Sequence, residues 1–133
     1  MELEELSAAI IGAAMRVHSR LGPGLLESVY QACLKHELLQ MGFRVESEVW
    51  LPIIYDTLKI DGAYKADLVV EDLVIIELKA VEQILRVHKA QLLSYLKLSG
   101  RPVGLILNFN VVHLREGICR MTNRHLRTVD AGS

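Results

Sequence analysis

The chain has only two cysteines in 133 residues. Cys33 and Cys119 have neither metal-site spacing nor the density of a secreted disulfide scaffold. They read as free thiols used as small buried hydrophobes, in keeping with a reducing cytoplasm. No apolar run reaches about 18 residues, and no basic segment leads into an apolar one, so neither a transmembrane helix nor a secretory signal is expected. A basic excess is missing too. Fifteen Lys and Arg against sixteen Asp and Glu give a net charge of −1, whereas a protein that holds nucleic acid mainly by its phosphates usually carries more positive charge than negative. Internal repeats, linkers and low-complexity stretches are absent. What remains, 51% hydrophobic and 23% charged residues, suits one core and one domain over residues 1–133.

Apolar positions at Leu3, Leu6, Ile10, Ala13, Ala14 and Val17 form a helical stripe over residues 3–20. Gly22, Pro23 and Gly24 break it. Pro23 stands where proline can open a second helix, which runs to about Met41 with Gly42 as its left-handed end. Residues 43–55 are rich in Val and Ile, hold Trp50 and are interrupted by Pro52, the pattern of a strand that bends or ends at an edge. A turn is expected over residues 59–62. Two apolar strands follow at 63–70 and 73–80, then a helix over 82–99 closed by Gly100, with Pro102 beyond, and a short buried strand at 103–108. Residues 111–115 and 118–121 form a last hairpin around Glu116 and Gly117. By itself this pattern says α/β or α+β.

Asp67, Glu77 and Lys79 stand within these two apolar strands. Side chains alternate along a strand, so Glu77 and Lys79 share one face while Val74, Ile76, Leu78 and Ala80 share the other. Such a pair can be two neighbours on a solvated sheet face. Asp67 argues for more. A two-residue turn at Glu71 and Asp72 pairs Asp67 with Ile76 and sets the carboxylates on opposite faces. A three-residue connection, Glu71 to Leu73, pairs Val70 with Val74 and sets Asp67 opposite Glu77, with Cβ atoms roughly 5 Å apart. The second register is the one expected. Two carboxylates that close repel unless a cation lies between them, and oxygen ligands suit Mg²⁺ or Mn²⁺.

Asp67 followed by Glu77, Leu78 and Lys79 resembles the D…(D/E)-x-K core of the PD-(D/E)XK nuclease superfamily. The run from Gly24 to Tyr30, GLLESVY, resembles the motif that names the GxxExxY protein family within it. Longer blocks, VHSRLGPGLLESVY, YKADLVVEDLVIIELKAVE, AQLLSYLKLSG and GLILNFNVVHLREGICRM, follow that family's order from about residue 5 to about residue 123. Lys65 and Ala66 stand where the superfamily's proline would precede Asp67, a variable position; the liganding residue itself is present.

The resemblance implies an α/β, restriction-endonuclease-like fold: an αβββαβ core with a central mixed β-sheet flanked by helices, an extra N-terminal helix and a C-terminal β-hairpin. It implies a metal-dependent nuclease that hydrolyses phosphodiester bonds of nucleic acid, DNA in the first place. Asp67, Glu77, Glu27 and the backbone carbonyl of Leu78 would hold one or two Mg²⁺ (or Mn²⁺) ions. Lys79 would position the attacking water and steady charge on the phosphate, and Gln91 would orient water or a substrate phosphate. No serine or cysteine nucleophile with a suitably spaced histidine competes. A homodimer is expected, because many nucleases of this fold cut two strands as dimers. Two other readings stay open: a catalytically inactive nucleic-acid-binding or assembly module on the same fold, and an enzyme acting on a small phosphoester or nucleotide.

Several residues carry two readings. Glu27 near a helix start gains roughly 0.3–1 kcal/mol from the dipole with no metal at all; the resemblance makes it the helix-borne ligand. Tyr30 and Gln31 follow it at i+3 and i+4, and Tyr30 is either a site wall that touches substrate or an anchor in the core. His88, Gln91 and Tyr95 form a stripe at i, i+3 and i+7 amid leucines, which turns His88 and Tyr95 toward substrate; His88 reads as a phosphate or surface contact rather than a metal ligand. His18 lines the site or caps the last turn of the first helix. Two basic groups could face a phosphate backbone: Arg115, Arg120, Arg124, His125 and Arg127, or Arg86, His88 and Lys89. Solvated surface positives balanced by acids explain the first group equally well.

Overall fold

The computed structural model of the protein describes residues 1–123. Helix α1 (Leu3–Leu21) follows the expected stripe and buries Leu6, Ile10, Ala13, Ala14 and Val17. It stops at Gly22, where a φ of 67° suits glycine and the N–H returns to the His18 carbonyl at 2.8 Å. Helix α2 (Glu27–Gln40) begins at Glu27 rather than Pro23, because Gly24 at φ 102° keeps the chain ahead of it out of the helical region. Gly42 at φ 88° ends it as expected.

Five strands form one sheet in chain order: β1 (Val45–Tyr55), β2 (Leu58–Val70), β3 (Val74–Lys79), β4 (Val103–Asn108) and β5 (Ile118–Thr122). β1, β2 and β3 are antiparallel neighbours, β3 and β4 are parallel, and β5 returns antiparallel to β4. The parallel step needs a crossover, supplied by helix α3 (Arg86–Ser99). Helices α1 and α2 bury Ile10, Tyr30 and Leu34 against Leu68, Ile76 and Leu105 on one sheet face. On the other face Leu92 and Leu96 of α3 pack with Ala66, Val69, Ile75 and Ile106. This mixed sheet between helical layers is the expected restriction-endonuclease-like α/β architecture. Cys33 and Cys119 are free thiols, each half-buried at the margin of one of the two cores. Among the described residues no helix is long and apolar enough to cross a membrane.

Pro52 marks a register shift between Leu51 and Ile53, the expected bend. Other boundaries differ from the pattern. The β1–β2 turn falls at Asp56 and Thr57, with Tyr55 paired to Leu58, and residues 59–62 continue as strand. Asp56 tolerates the left-handed φ of 56° that so tight a turn requires. Helix α3 begins at Arg86, not at residue 82. His88 fixes that start: its Nδ1 accepts the Leu85 N–H at 3.0 Å and its own N–H donates to the Leu85 carbonyl at 3.1 Å.

The expected hairpin of residues 111–115 with 118–121 does not form. Leu114–Gly117 is a 3₁₀ turn, and β5 pairs with β4 instead. Every residue of β4 is buried, so its second edge needs a partner, and residues 118–122 supply one. Gly117 lets the loop fold back this tightly, since a Cβ there would lie 2.1 Å from the Asn108 carbonyl oxygen.

Candidate active site

Val70 pairs with Val74, Val69 with Ile75 and Leu68 with Ile76, the register of the three-residue connection. Asp67 therefore falls opposite Glu77, but the β2–β3 ladder ends one pair short of them. The Asp67 carboxylate instead accepts the Leu78 N–H at 2.8 Å, taking a donor that a main-chain carbonyl of β2 would otherwise use. The two strands fork at this point, while β3 continues beside β4 through Leu78–Leu107 and Lys79–Asn108.

The fork coincides with an exchange of faces. Val49, Leu51, Tyr64 and Ala66 lie in the core under α3, whereas Val45, Leu68 and Val70 lie in the core under α1 and α2. Strict alternation would keep Ala66 and Leu68 on the same face. Between the pairs Ser47–Leu68 and Val49–Ala66 stand Glu48, held at φ 55°, and Asp67. The twist there turns Asp67 out of both cores and toward the end of β3.

Glu77 and Lys79 point to the α3 side, as Ile75 does. The Tyr64 hydroxyl donates to the Glu77 carboxylate. Glu27 arrives from the opposite layer, round the end of β3, with Oε1 accepting the Ala80 N–H at 3.2 Å. One turn on, Gln31 Nε2 lies 3.1 Å from Glu48 Oε1 and 3.4 Å from the Asp67 carbonyl. Glu48 also pairs with Lys65 at 3.0 Å.

Charge is crowded at the fork. Burial, then the Asp67 carboxylate, push the Glu77 carboxyl up to about 7 against the pull of the Tyr64 hydroxyl and Lys79. Burial likewise raises Asp67; the Leu78 N–H opposes this, and Glu27 and Glu48 add to it. The Tyr64 phenol is raised by burial and by Glu77 beside it. Glu48 is lowered by its bonds to Lys65 and Gln31. Two acids whose ionised forms are disfavoured in one place are relieved by a cation between them.

The donors are of the right kind for a hard divalent ion, since Asp67, Glu77, Glu27 and the Leu78 carbonyl offer only oxygen. Among the described residues no three His, Cys, Asp or Glu side chains stand together as a ready cage. Mg²⁺ does not need one, because it keeps several waters and takes one or two carboxylates.

Across the fork, His88, Gln91 and Tyr95 of α3 face Tyr64, Glu77 and Lys79 around a space of about 10 Å³, room for one water. The Tyr64 and Tyr95 rings are stacked, and Gln91 Nε2 lies 3.4 Å from the Tyr95 hydroxyl. The structure thus brings Asp67, Glu77, Lys79, Glu27, Gln91, His88 and Tyr95 to one end of the sheet.

Two expected substrate contacts stand elsewhere. Tyr30 is fully buried and stacks on Phe109 with centroids 4.5 Å apart. Its hydroxyl donates to the Gly22 carbonyl at 2.6 Å and accepts the Leu25 N–H at 3.1 Å. So enclosed a ring cannot touch substrate; it ties the α1–α2 loop to the core and sets where Glu27 begins. His18 is buried with Nε2 2.8 Å from the Val111 carbonyl and lies outside the carboxylate cluster. Arg120 pairs with Glu4 at 3.1 Å, and Arg124, His125 and Arg127 lie outside the described residues.

Three residues at the fork escaped the sequence reading. Alternation sets Tyr64 and Asp67 on opposite faces, so only the exchange of faces accounts for the Tyr64 hydroxyl reaching Glu77. Glu48 looked like one more polar residue of β1. Asn108 had a usable signal, an amide closing a wholly apolar strand. Its side chain accepts the Val81 N–H at 3.1 Å and donates to the Val81 carbonyl at 2.9 Å, binding the loop after β3 to the end of β4.

Comparison with curated proteins and with solved structures gives no match. The sequence profile of the PD-(D/E)XK nuclease superfamily matches residues 4–121. That match takes in the acidic fork together with the helices and strands that frame it, and the chain therefore belongs to the PD-(D/E)XK nuclease superfamily.

Proposed function

We propose that the protein is a metal-dependent nuclease that hydrolyses phosphodiester bonds of nucleic acid, DNA in the first instance. The observation that carries this reading is the fork itself. A sheet built only for stability gains nothing by ending a ladder on a carboxylate and setting a second, half-buried carboxylate opposite it. In this reading Asp67, Glu77, Glu27 and the Leu78 carbonyl hold Mg²⁺ or Mn²⁺. When bound, the cation offsets the negative charge of the phosphate and lowers the pKa of a coordinated water.

The chain's own groups do the rest. Lys79, two residues from Glu77 on the same face, holds the attacking water and steadies charge on the non-bridging phosphate oxygens. The Tyr64 hydroxyl orients Glu77. Gln91 and His88 offer hydrogen bonds to water or phosphate, and the stacked Tyr64 and Tyr95 rings exclude bulk water from the α3 side. The segment GLLESVY supports placing the chain in the GxxExxY family. Cutting both strands of a duplex takes two such sites, so the proposed working form is a homodimer.

A second reading, an inactive nucleic-acid-binding module, has one observation in its favour. Tyr64 and the Leu78 N–H already satisfy Glu77 and Asp67 without a cation. Two measurements separate the readings: Mn²⁺ calorimetry on wild type and Glu77→Ala, and nicking of supercoiled DNA by wild type and Lys79→Ala. A nuclease binds Mn²⁺ through Glu77 and nicks through Lys79. Wild-type protein that binds no Mn²⁺ and nicks nothing, yet binds DNA, is the module.

A further inference from the structure

A groove of about 570 Å³ lies between the last turns of α1, the Gly22–Pro23 break and the loop after β4, with Ser19, His113 and Arg115 on its walls. Its volume is that of a ligand cleft. Three hydrogen bonds fix its walls, and one of them reaches the fork. Tyr30 holds the Gly22 carbonyl at 2.6 Å on the strip of chain that leads into Glu27. The Phe109 N–H donates to the Lys79 carbonyl at 3.0 Å, so the loop bearing His113 and Arg115 starts directly beside Lys79. His18 grips that loop through the Val111 carbonyl at 2.8 Å.

Charge in the groove runs against the balance of the whole chain. Arg16, Arg44, Lys59, Lys65, Arg101 and Arg120 each have an acidic partner within 3.7 Å. His113 and Arg115 are exposed and, like Arg86 and Lys89, have no such partner among the described residues; what sets the groove apart is that no acid lines it. The C-terminus of α1 brings a partial negative charge that works against an anion. The Arg115 guanidinium sets a full positive charge against it, and His113 adds a hydrogen-bonding ring on the same wall.

We infer that this groove is a phosphate-binding subsite, taking the backbone of the nucleic-acid strand that leads away from the fork. Arg115 and His113 contact non-bridging oxygens and the Ser19 hydroxyl donates to one of them. The inference rests on the nuclease reading. It also accounts for how a chain of net charge −1 can hold a polyanion: phosphate contacts position a duplex and supply most of the affinity, and the fork offers few of them, in Lys79, His88 and Gln91.

The test is fluorescence anisotropy of a short labelled DNA duplex, without divalent cation, over a series of salt concentrations. The proteins compared are wild type, Arg115→Ala and the double variant Arg115→Ala/His113→Ala, with Mn²⁺ calorimetry and supercoiled-DNA nicking run alongside. Both side chains are exposed, and equal thermal melting confirms that the variants fold. Arg115→Ala is expected to weaken binding equally for unrelated duplex sequences and to lower the slope of log K against log salt by about 1, with Mn²⁺ binding unchanged. If wild type binds and nicks DNA while both variants match its affinity and slope, the groove inference is wrong and the nuclease reading stands. If wild type neither binds DNA nor nicks it with Mn²⁺, both fall together.

Discussion

Asp67 completes the β2–β3 ladder with its side chain: its carboxylate accepts the Leu78 N–H at 2.8 Å, at the point where the strands part. That one bond gives Asp67 a structural duty that can be separated from its charge. Asp67→Asn keeps an oxygen for the Leu78 N–H and removes the repulsion felt by Glu77, so the fold should hold its stability while Mn²⁺ binding is lost. Asp67→Ala strands the N–H and should cost about 1–3 kcal/mol. Urea denaturation of the two variants, beside calorimetry, separates the duties.

The Glu77 carboxyl, raised from its ordinary 4.5 to about 7, predicts two opposite pH trends. The folded protein binds this proton more tightly than the unfolded chain does. Its contribution to stability is therefore full below 4.5 and is lost as pH rises to about 7. The expected loss is on the order of 2–3 kcal/mol for the metal-free protein. Mn²⁺ affinity should rise across the same window, because the ligand must be ionised. Urea titrations on either side of the window, repeated on Glu77→Gln, check this; an unchanged pH slope in the variant would assign the effect to another group.

Tyr64→Phe keeps the ring against Tyr95 but removes the hydroxyl that holds the ionised form of Glu77. The Glu77 carboxyl should climb further, moving the midpoint of Mn²⁺ binding to higher pH. Stability above that midpoint should fall by about 1.5–3 kcal/mol. A calorimetric pH series on both proteins reads the shift.

Tyr30→Phe tests the anchor. The Gly22 carbonyl and the Leu25 N–H both lose their side-chain partner, and the expected cost is about 1–3 kcal/mol. Amide exchange should quicken first at Leu25 and the start of α2. Slowed nicking alongside would come from a loosened Glu27, with no contact between Tyr30 and substrate.

Gly117 is fixed by steric contact. A Cβ would meet the backbone oxygen of Asn108 at 2.1 Å, and backbone cannot swing aside as a side chain can. Gly117→Ala should cost at least about 2 kcal/mol and disturb the Asn108 clamp on Val81. Thermal melting measures the first effect and exchange of the Val81 amide the second.

Much of the fold was legible because its signals are local. The stripe of α1, the glycines that end α1, α2 and α3, and the three residues between Val70 and Val74 act through near neighbours in the chain. Hence the order of elements and the register that sets Asp67 opposite Glu77 follow from the residues themselves. Misplaced boundaries were those decided from further away. Residues 111–115 have strand-like composition, but β4 takes residues 118–122 as its partner, and Gly117 is needed for the chain to return there.

At the candidate site, the charges within the apolar strands and the shared face of Glu77 and Lys79 are written in the residues of those strands. Their superfamily was legible in the same stretch. The exchange of faces at Glu48 and Asp67, the bond from Tyr64 to Glu77, the burial of Tyr30 and the seat of His18 on Val111 arise from packing between distant segments. Period-two alternation is a property of one strand. Where two strands twist together and swap sides, the hydrogen bonds are settled between segments far apart in the chain, and no single segment encodes them.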